Sequence, residues 1–368
     1  MDPLSSTVGS SQVFAYVERL ARRGLGVDLV TFEHSVDLGL LEKLSVLGVD
    51  WRPQKFGRPG PVGGLGRVIR AAGVIRGAEI VHARSDLAAA SVMLARIPYW
   101  VWDVRSLWVD QKIASGVVQS GSVQEKIMRW IERRAASKST AVLTLTASAI
   151  EVLDELYRRQ VSPKGHVVTT CTDLDHFSVS PLPPTPLRVL IAGTLNRYYD
   201  LPAMLDLVAE LRRRRPVTLV VASPGVTDWE EQLATVEANR VSAASKEMKD
   251  LVSSCHVGLS ICRDDAGISL LAAMPTKIGE FLASGRPVVV NPGLVEAAEL
   301  VQSHRCGTVF GSSVSLTLVE TANELETFLM DPRLPDRCRA LAEGHFDLDR
   351  GVDQLVEVYR SVHPCWGP

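Results

Sequence analysis

The chain has 368 residues, more than one hydrophobic core usually holds, so two domains are expected. At 46% hydrophobic, 22% charged and a formal net charge of -2, it has the makeup of a folded globular protein, and it carries no global signal for a polyanion such as nucleic acid. The six cysteines (Cys171, Cys255, Cys262, Cys306, Cys338 and Cys365) show no CxxC spacing, which argues against a structural zinc site and a dense disulfide framework. No signal peptide and no apolar run of membrane-spanning length is read, so a cytoplasmic location is expected.

From the start, residues 5–11 read as a Gly/Ser loop leading into a helix over 11–24, closed by Gly24. Residues 27–32 (VDLVTF) read as a buried strand. Such a loop normally follows a strand in α/β folds; none precedes it here, so the expectation is either a true start upstream or a missing first strand. A helix near DLGLLEKLSVLG and a short strand near VDWRP come next, and the Gly/Pro-rich stretch 56–67 reads as a loop before a basic helix. Strand 79–81 carries His82 and Arg84 at its C-terminal end, and YWVWDVRSLW repeats that arrangement with Asp103 and Arg105. Helix 122–138, strand TAVLTLT, helix SAIEVLDELY and strand HVVTTC continue the alternation, which predicts a doubly wound parallel sheet.

PLPPTP, residues 181–186, is the clearest linker, stiffened by proline. The pattern then restarts with strand LRVLIAG, helix DLPAMLDLVAELRRR and strand VTLVVAS. A helix near DWEEQLATVEA, strand VSAA, a helix ending at SSC and strand VGLSIC follow. DDAGISLLAAM reads as a loop or irregular turn, PTKIGEFLAS as a helix, RPVVVN and CGTVF as strands around a helix, and the tail as three helices. Two such domains place strand C-terminal ends, where ligands bind, across a cleft.

Within PTKIGEFLAS, Lys277 and Glu280 stand three apart and share a helix face. A helix N-terminus favours anions, so Lys277 there suits a phosphate, and Glu280 one turn on can accept hydrogen bonds from sugar hydroxyls.

The ordered set of IVHARSD, WDVRSLW, TAVLTLT, TTCTDLDHF, AGTLNRYYDLPAM and PTKIGEFLASGRPVVVN resembles the GT-B glycosyltransferases, most of all the large retaining family 4, over nearly the whole length. The resemblance implies a Rossmann-like acceptor domain over 1–182, a Rossmann-like nucleotide-sugar donor domain over 187–345, and a last helix, 346–368, packing back on the first. It implies a metal-independent hexosyltransferase-like enzyme with no cofactor. Its partners would be a nucleotide-diphosphate sugar and a glycan, lipid-linked or small-molecule acceptor, in polysaccharide biosynthesis or a related pathway. By position, Glu280 matches the second glutamate of the family's E-x7-E motif and holds the donor ribose; Arg197 and Lys277 attend the pyrophosphate, with Gly193 also on the donor side; His82 lies close to the transferred sugar. Arg197, Lys277 and His82 are the expected catalytic residues. Gly9, Ser10, Arg84, Asp103 and Arg105 are expected on the acceptor side. The first motif glutamate is replaced by Ala272, so the loop 264–274, with Ser269, is expected to make the sugar contacts.

Each signal also has a plainer reading. Gly9 to Ser11 could be a helix cap, and Arg84, Asp103 and Arg105 a structural ion pair. The Asp173–Asp175 pair spells DxD, a metal motif of another glycosyltransferase fold, but carboxylate spacing alone is a weak metal signal, and no metal is expected. Helix 122–138 is basic and amphipathic with Trp130; such helices cover cores and also lie on anionic membranes, so a peripheral membrane contact stays open. Two further functions share the fold: a nucleotide-sugar 2-epimerase, and a non-catalytic partner protein.

Overall fold

The computed structural model describes residues 3–196, 198–223, 225, 229–242, 247–311 and 317–363. The chain divides into two units: Met1–Ile113, Val118–Thr169 and Leu348–Pro368 form the first, Ala114–Val117 and Thr170–Asp347 the second. The division falls at 169/170, ahead of the proline segment that the sequence points to. Residues 180 and 181 are held within the second unit by Arg286, whose guanidinium donates to the carbonyls of Ser180, Pro181 and Ser253 and to Ser180 Oγ. Four acceptors for one fully buried cation explain why the proline stretch is bound rather than spanning free.

The first unit opens with helix Thr7–Gly9, a π-type turn Ser10–Phe14 and helix Ala15–Arg22. Residues 7–11 are therefore helical and not the expected loop. Gly9 is required there: a Cβ would come 2.2 Å from the Pro3 carbonyl oxygen and 2.7 Å from Leu4 Cα. Strands β1 (Asp28–Glu33) and β2 (Asp50–Lys55) pair in parallel as a sheet of their own, and only the C-terminal half of β1 is buried. Leu4, Val17, Leu44, Val49 and Trp51 form a core beneath them. Helix Leu38–Val46 starts at Asp37, whose carboxylate accepts from the Gly39 and Leu40 amides, a regular N-cap.

Four strands, β3 (Ile80–Arg84), β4 (Tyr99–Val104), β5 (Ala141–Thr144) and β6 (Gly165–Val167), form a second parallel sheet in that order. Helix Gly60–Val74 runs through most of the Gly/Pro stretch read as loop. Pro59 is its N-cap, and Gly63 admits the Arg58 carbonyl, 1.7 Å from a would-be Cβ, so that one glycine serves close approach inside a helix whose other face carries Val68, Ala71 and Ala72 into the core. Local propensity is overridden by that burial. Strand β6 is also shorter than HVVTTC, ending at Val167. Helix Leu348–Val362 belongs to this unit and packs on helix Ala15–Arg22, with Asp349 accepting from Arg19 and Arg23.

The second unit has one six-stranded parallel sheet built from β7 (Leu187–Ala192), β8 (Val217–Ala222), β9 (Asn239–Val241), β10 (Val257–Ser260), β11 (Val288–Val290) and β12 (Gly307–Val309). Their order is β12-β11-β10-β7-β8-β9, all parallel. The order reverses between β7 and β10, the switch point at which open α/β sheets bind ligands. Except for the edge strand β9, these strands are largely buried and read as apolar runs for that reason. Strand β9 sits two residues ahead of VSAA, whose end lies outside the described residues.

Candidate functional site

The switch point of the second unit is built from three chain segments. Gly193 follows β7 with φ +100 and donates its amide to Ala222 O at 2.8 Å. Residues 198–200 run antiparallel beside 261–263 past the end of β10: Asp200 N donates to Ile261 O at 3.0 Å and Arg263 N to Tyr198 O at 3.0 Å. The third segment is helix Thr276–Ala283, entered through Pro275. Its first amides lack intrahelical acceptors by construction.

Lys277 is at the second position of that helix and only 6% exposed. Its Nζ has no hydrogen-bond partner among the described residues and lies 4.0 Å from the Tyr199 ring centroid. A Cβ on Gly193 would be 3.4 Å from Nζ, so glycine and its positive φ let the ammonium pass close to the backbone. Burial lowers the Lys277 pKa from 10.5 to about 8, opposed by Cys262 and Glu280. Burial raises Glu280 from 4.5 to about 7, opposed by Lys277. The two share a face yet form no direct ion pair among the described residues. A cation without an anion is costly when desolvated, whereas Glu280 is half-buried and its carboxyl still has access to solvent. The arrangement can take an external anion at Lys277 and external hydroxyl or amide donors at Glu280.

The loop after β10 folds as an irregular 3-10 segment, Asp264–Ala272, kinked at Gly267 (φ 60, ψ -139). Ser269 is 1% exposed, donates to Ala266 O at 2.7 Å and lies 3.3 Å from Tyr198 Oη. Its proton is used within the loop, which leaves the hydroxyl oxygen as an acceptor. Ala272 is fully buried. Asn291, also fully buried, accepts from the Cys262 amide at 2.9 Å and donates to Asp264 at 3.2 Å, which holds the loop to β11. Beside it a cavity of about 400 Å³ is lined by Tyr199, Asp200, Trp229, Arg263, Asp264 and Asp265. Arg197 lies outside the described residues. Tyr199, Cys262 and Asn291 were missed by the sequence reading; the aromatic pair in RYYD just past β7 is the one signal that could have found Tyr199.

The first unit gathers His82, Arg84, Asp103 and Arg105 at the C-terminal ends of β3 and β4, where Arg84 and Asp103 are register partners. Asp103 is 2% exposed. Burial pushes its carboxyl up, but Arg105, His82 and Arg84 outweigh that and hold it at about 2. His82 Nε2 is 3.0 Å from Asp103 Oδ2, and His82 Nδ1 is 2.8 Å from Tyr359 Oη on the last helix. Both ring nitrogens are taken, so His82 bridges β4 and that helix. Arg84 and Arg105 each reach Asp103 at 3.5 Å. Gly9 is buried in the first helical turn, its amide donating to Ser6 Oγ at 3.0 Å, and Ser10 N donates to Ser6 O at 2.8 Å. Asp173 Oδ1 accepts from the amides of Asp175 and His176, so the DxD carboxylate serves a turn. Among the described residues no group of His, Cys, Asp and Glu could hold a metal ion, and no helix is long and apolar enough to cross a membrane.

Residues 10–172 match the model of the glycosyl transferase 4-like domain. A comparison with curated protein sequences found no match. Among solved structures, HepE of Anabaena in complex with UDP and glucose superposes with a TM-score of 0.68 at 14% identity, covering 97% of this chain and 97% of that one. Sucrose-phosphate synthase of Thermosynechococcus elongatus gives 0.69 at 17% identity, covering 95% and 92%. WaaG, a glycosyltransferase involved in lipopolysaccharide biosynthesis, gives 0.66 at 13% identity, covering 97% and 96%.

Proposed function

From a chain with the GT-B fold and a glycosyl transferase 4-like match over residues 10–172, we propose a glycosyltransferase that takes its sugar from a nucleoside diphosphate bound at Lys277 and Glu280. The observation that carries this reading is the buried Lys277 ammonium with no hydrogen-bond partner among the described residues, at a helix start. A diphosphate there would meet the ammonium and the helix amides together. Glu280, one turn on, would accept from the ribose hydroxyls. UDP is the first nucleotide to test, because HepE holds it.

The hard step is departure of the diphosphate from the anomeric carbon. Negative charge grows on the leaving group, and a cation fixed beforehand stabilises that charge more in the transition state than in the ground state. Lys277 does this in a desolvated setting; losing one such donor costs about 3 kcal/mol of barrier. Arg197 is proposed as a second phosphate contact on sequence position alone. The acceptor side is assigned to Arg84 and Arg105, whose guanidiniums stand at strand ends; His82 is a positioning residue there, not a base. Retention follows from the resemblance to family 4, with front-face attack and the leaving phosphate taking the acceptor proton. Neither a metal nor a cofactor enters this scheme.

Ala272 favours a second reading, a partner protein that binds nucleotide without chemistry. Calorimetry with UDP, GDP, ADP, TDP and their sugars tests both. Binding of one base by the wild type, weakened at least tenfold in Lys277→Met and Glu280→Gln, is expected. No binding to any nucleotide overturns the donor site; binding without sugar transfer or hydrolysis moves the protein to the second reading.

A further inference from the structure

We propose that the first unit docks on an anionic lipid bilayer through the exposed side chains of two helices that both pack against a third. The proposal does not rest on the nucleotide site. Helix Gly60–Val74 packs against helix Asp86–Ala95, which packs against helix Val123–Lys138. Each turns its small or branched residues inward: Ala71 and Ala72 on the first, Ala89 and Val92 on the second, Ala135 and Ala136 on the third, all 5% exposed or less.

What the first and third of these helices turn outward is unusual for a covering layer. Val62 is 83% exposed, Val123 73% and Trp130 56%, with Leu65, Ile69 and Ile127 also exposed. Val123, Ile127, Trp130 and Arg134 follow the i, i+4, i+7, i+11 spacing of one helical stripe, and Arg134 stacks on the Trp130 ring at 5.6 Å. Around that stripe Lys126, Arg133, Arg134 and Lys138 are exposed, as is Arg70 on the first helix. No outward position of the three helices carries an exposed carboxylate: Glu132 and Asp86 are buried, and Glu125 is half-buried against the Gly121 amide.

The charge pattern selects the occupant. A second copy of the same face would set cation against cation, which disfavours self-association. Nucleic acid would match the charge but gains nothing from exposed Val, Leu and Ile. A bilayer with anionic headgroups matches both, with apolar side chains at the acyl boundary and basic groups at the phosphates. Trp130 suits the interface, having an apolar body and one N–H.

The test is sedimentation of the full chain with vesicles of phosphatidylcholine, alone or with one third phosphatidylglycerol. Binding to the anionic vesicles only, weakening as salt rises, is expected. Each of Lys126, Arg133, Arg134 and Lys138 changed to Gln should weaken binding about 5-fold, and the double variant Ile127→Glu, Trp130→Glu should abolish it. These side chains are exposed, so unfolding temperatures should not move; if the double variant does not fold, the Gln variants alone decide. Absence of binding to anionic vesicles overturns the proposal, as does binding indifferent to all these variants. A dimer seen by light scattering that Trp130→Glu dissociates would assign the face to a second copy instead.

Discussion

The Phe281 ring occupies the space beside Gly258 so closely that a Cβ there would lie 2.2 Å from Cε2. Gly258 is in β10 and Phe281 in helix Thr276–Ala283, so the missing side chain is what lets this helix settle onto the central strand of the second unit. Gly279 does the same on another side, where a Cβ would be 2.5 Å from Thr172 Oγ1. With Phe281 and Gly279 seated, Lys277 and Glu280 are left on the remaining face, and that seating sets their position relative to Gly193 and Tyr199.

Gly258→Ala should therefore be destabilising by about 1–3 kcal/mol, as overpacked cores are. Urea unfolding measures it directly. The same variant should weaken nucleotide binding, since the helix has to move away from β10. Unchanged stability would mean that Phe281 repacks freely.

Nucleotide affinity should show a narrow bell in pH with its maximum between 7 and 8. Lys277 loses its proton at about 8 when unliganded, so above that pH a bound diphosphate must first restore the charge, and affinity falls. Glu280 takes up a proton at about 7, so below that pH it no longer accepts hydroxyl donors as a carboxylate. Calorimetric titrations across pH 6 to 9 check this. Lys277→Met should lose the alkaline limb, and Glu280→Gln the acid one.

In the absence of ligand, Lys277→Met should stabilise the protein by about 1–3 kcal/mol near neutral pH, because it removes a buried unpaired charge. The sign follows from the lowered pKa: the cost of the protonated lysine is full below about 8 and is relieved between there and 10.5, where the folded state has shed its proton and the unfolded chain has not. The gap between wild type and variant should thus shrink as pH rises through that window. A variant less stable than wild type at neutral pH would show that the ammonium has a partner in solution.

Asp103 makes the opposite contribution. Its carboxyl is held at about 2 against an ordinary 3.8, so the stability it adds is present above 3.8 and lost as pH falls through 2. That amounts to about 2 kcal/mol. Asp103→Asn should cost at least this much, since it removes the negative charge that Arg84, Arg105 and His82 share, and it should flatten the acid limb of stability measured by denaturant unfolding. Nucleotide binding at the second unit should be untouched.

The order of strands and helices followed from the sequence alone, because hydrophobic periodicity and turn residues are properties of near neighbours in the chain. So did the shared face of Lys277 and Glu280, which a three-residue spacing on any helix imposes. The errors lie where distant packing overruled local preference. The glycines of 60–66 entered a helix because Val68, Ala71 and Ala72 had a core to meet, and residues 7–11 turned helical around the close approach of Pro3 and Leu4 to Gly9. What the site can do was decided by tertiary structure. His82 lost both nitrogens to Asp103 and to a tyrosine 277 residues further on, Ser269 spent its hydroxyl on its own loop, and Lys277 was left desolvated against Tyr199. Desolvation and hydrogen-bond pairing depend on which groups the fold brings together, and residue spacing along the chain carries no record of partners that far away.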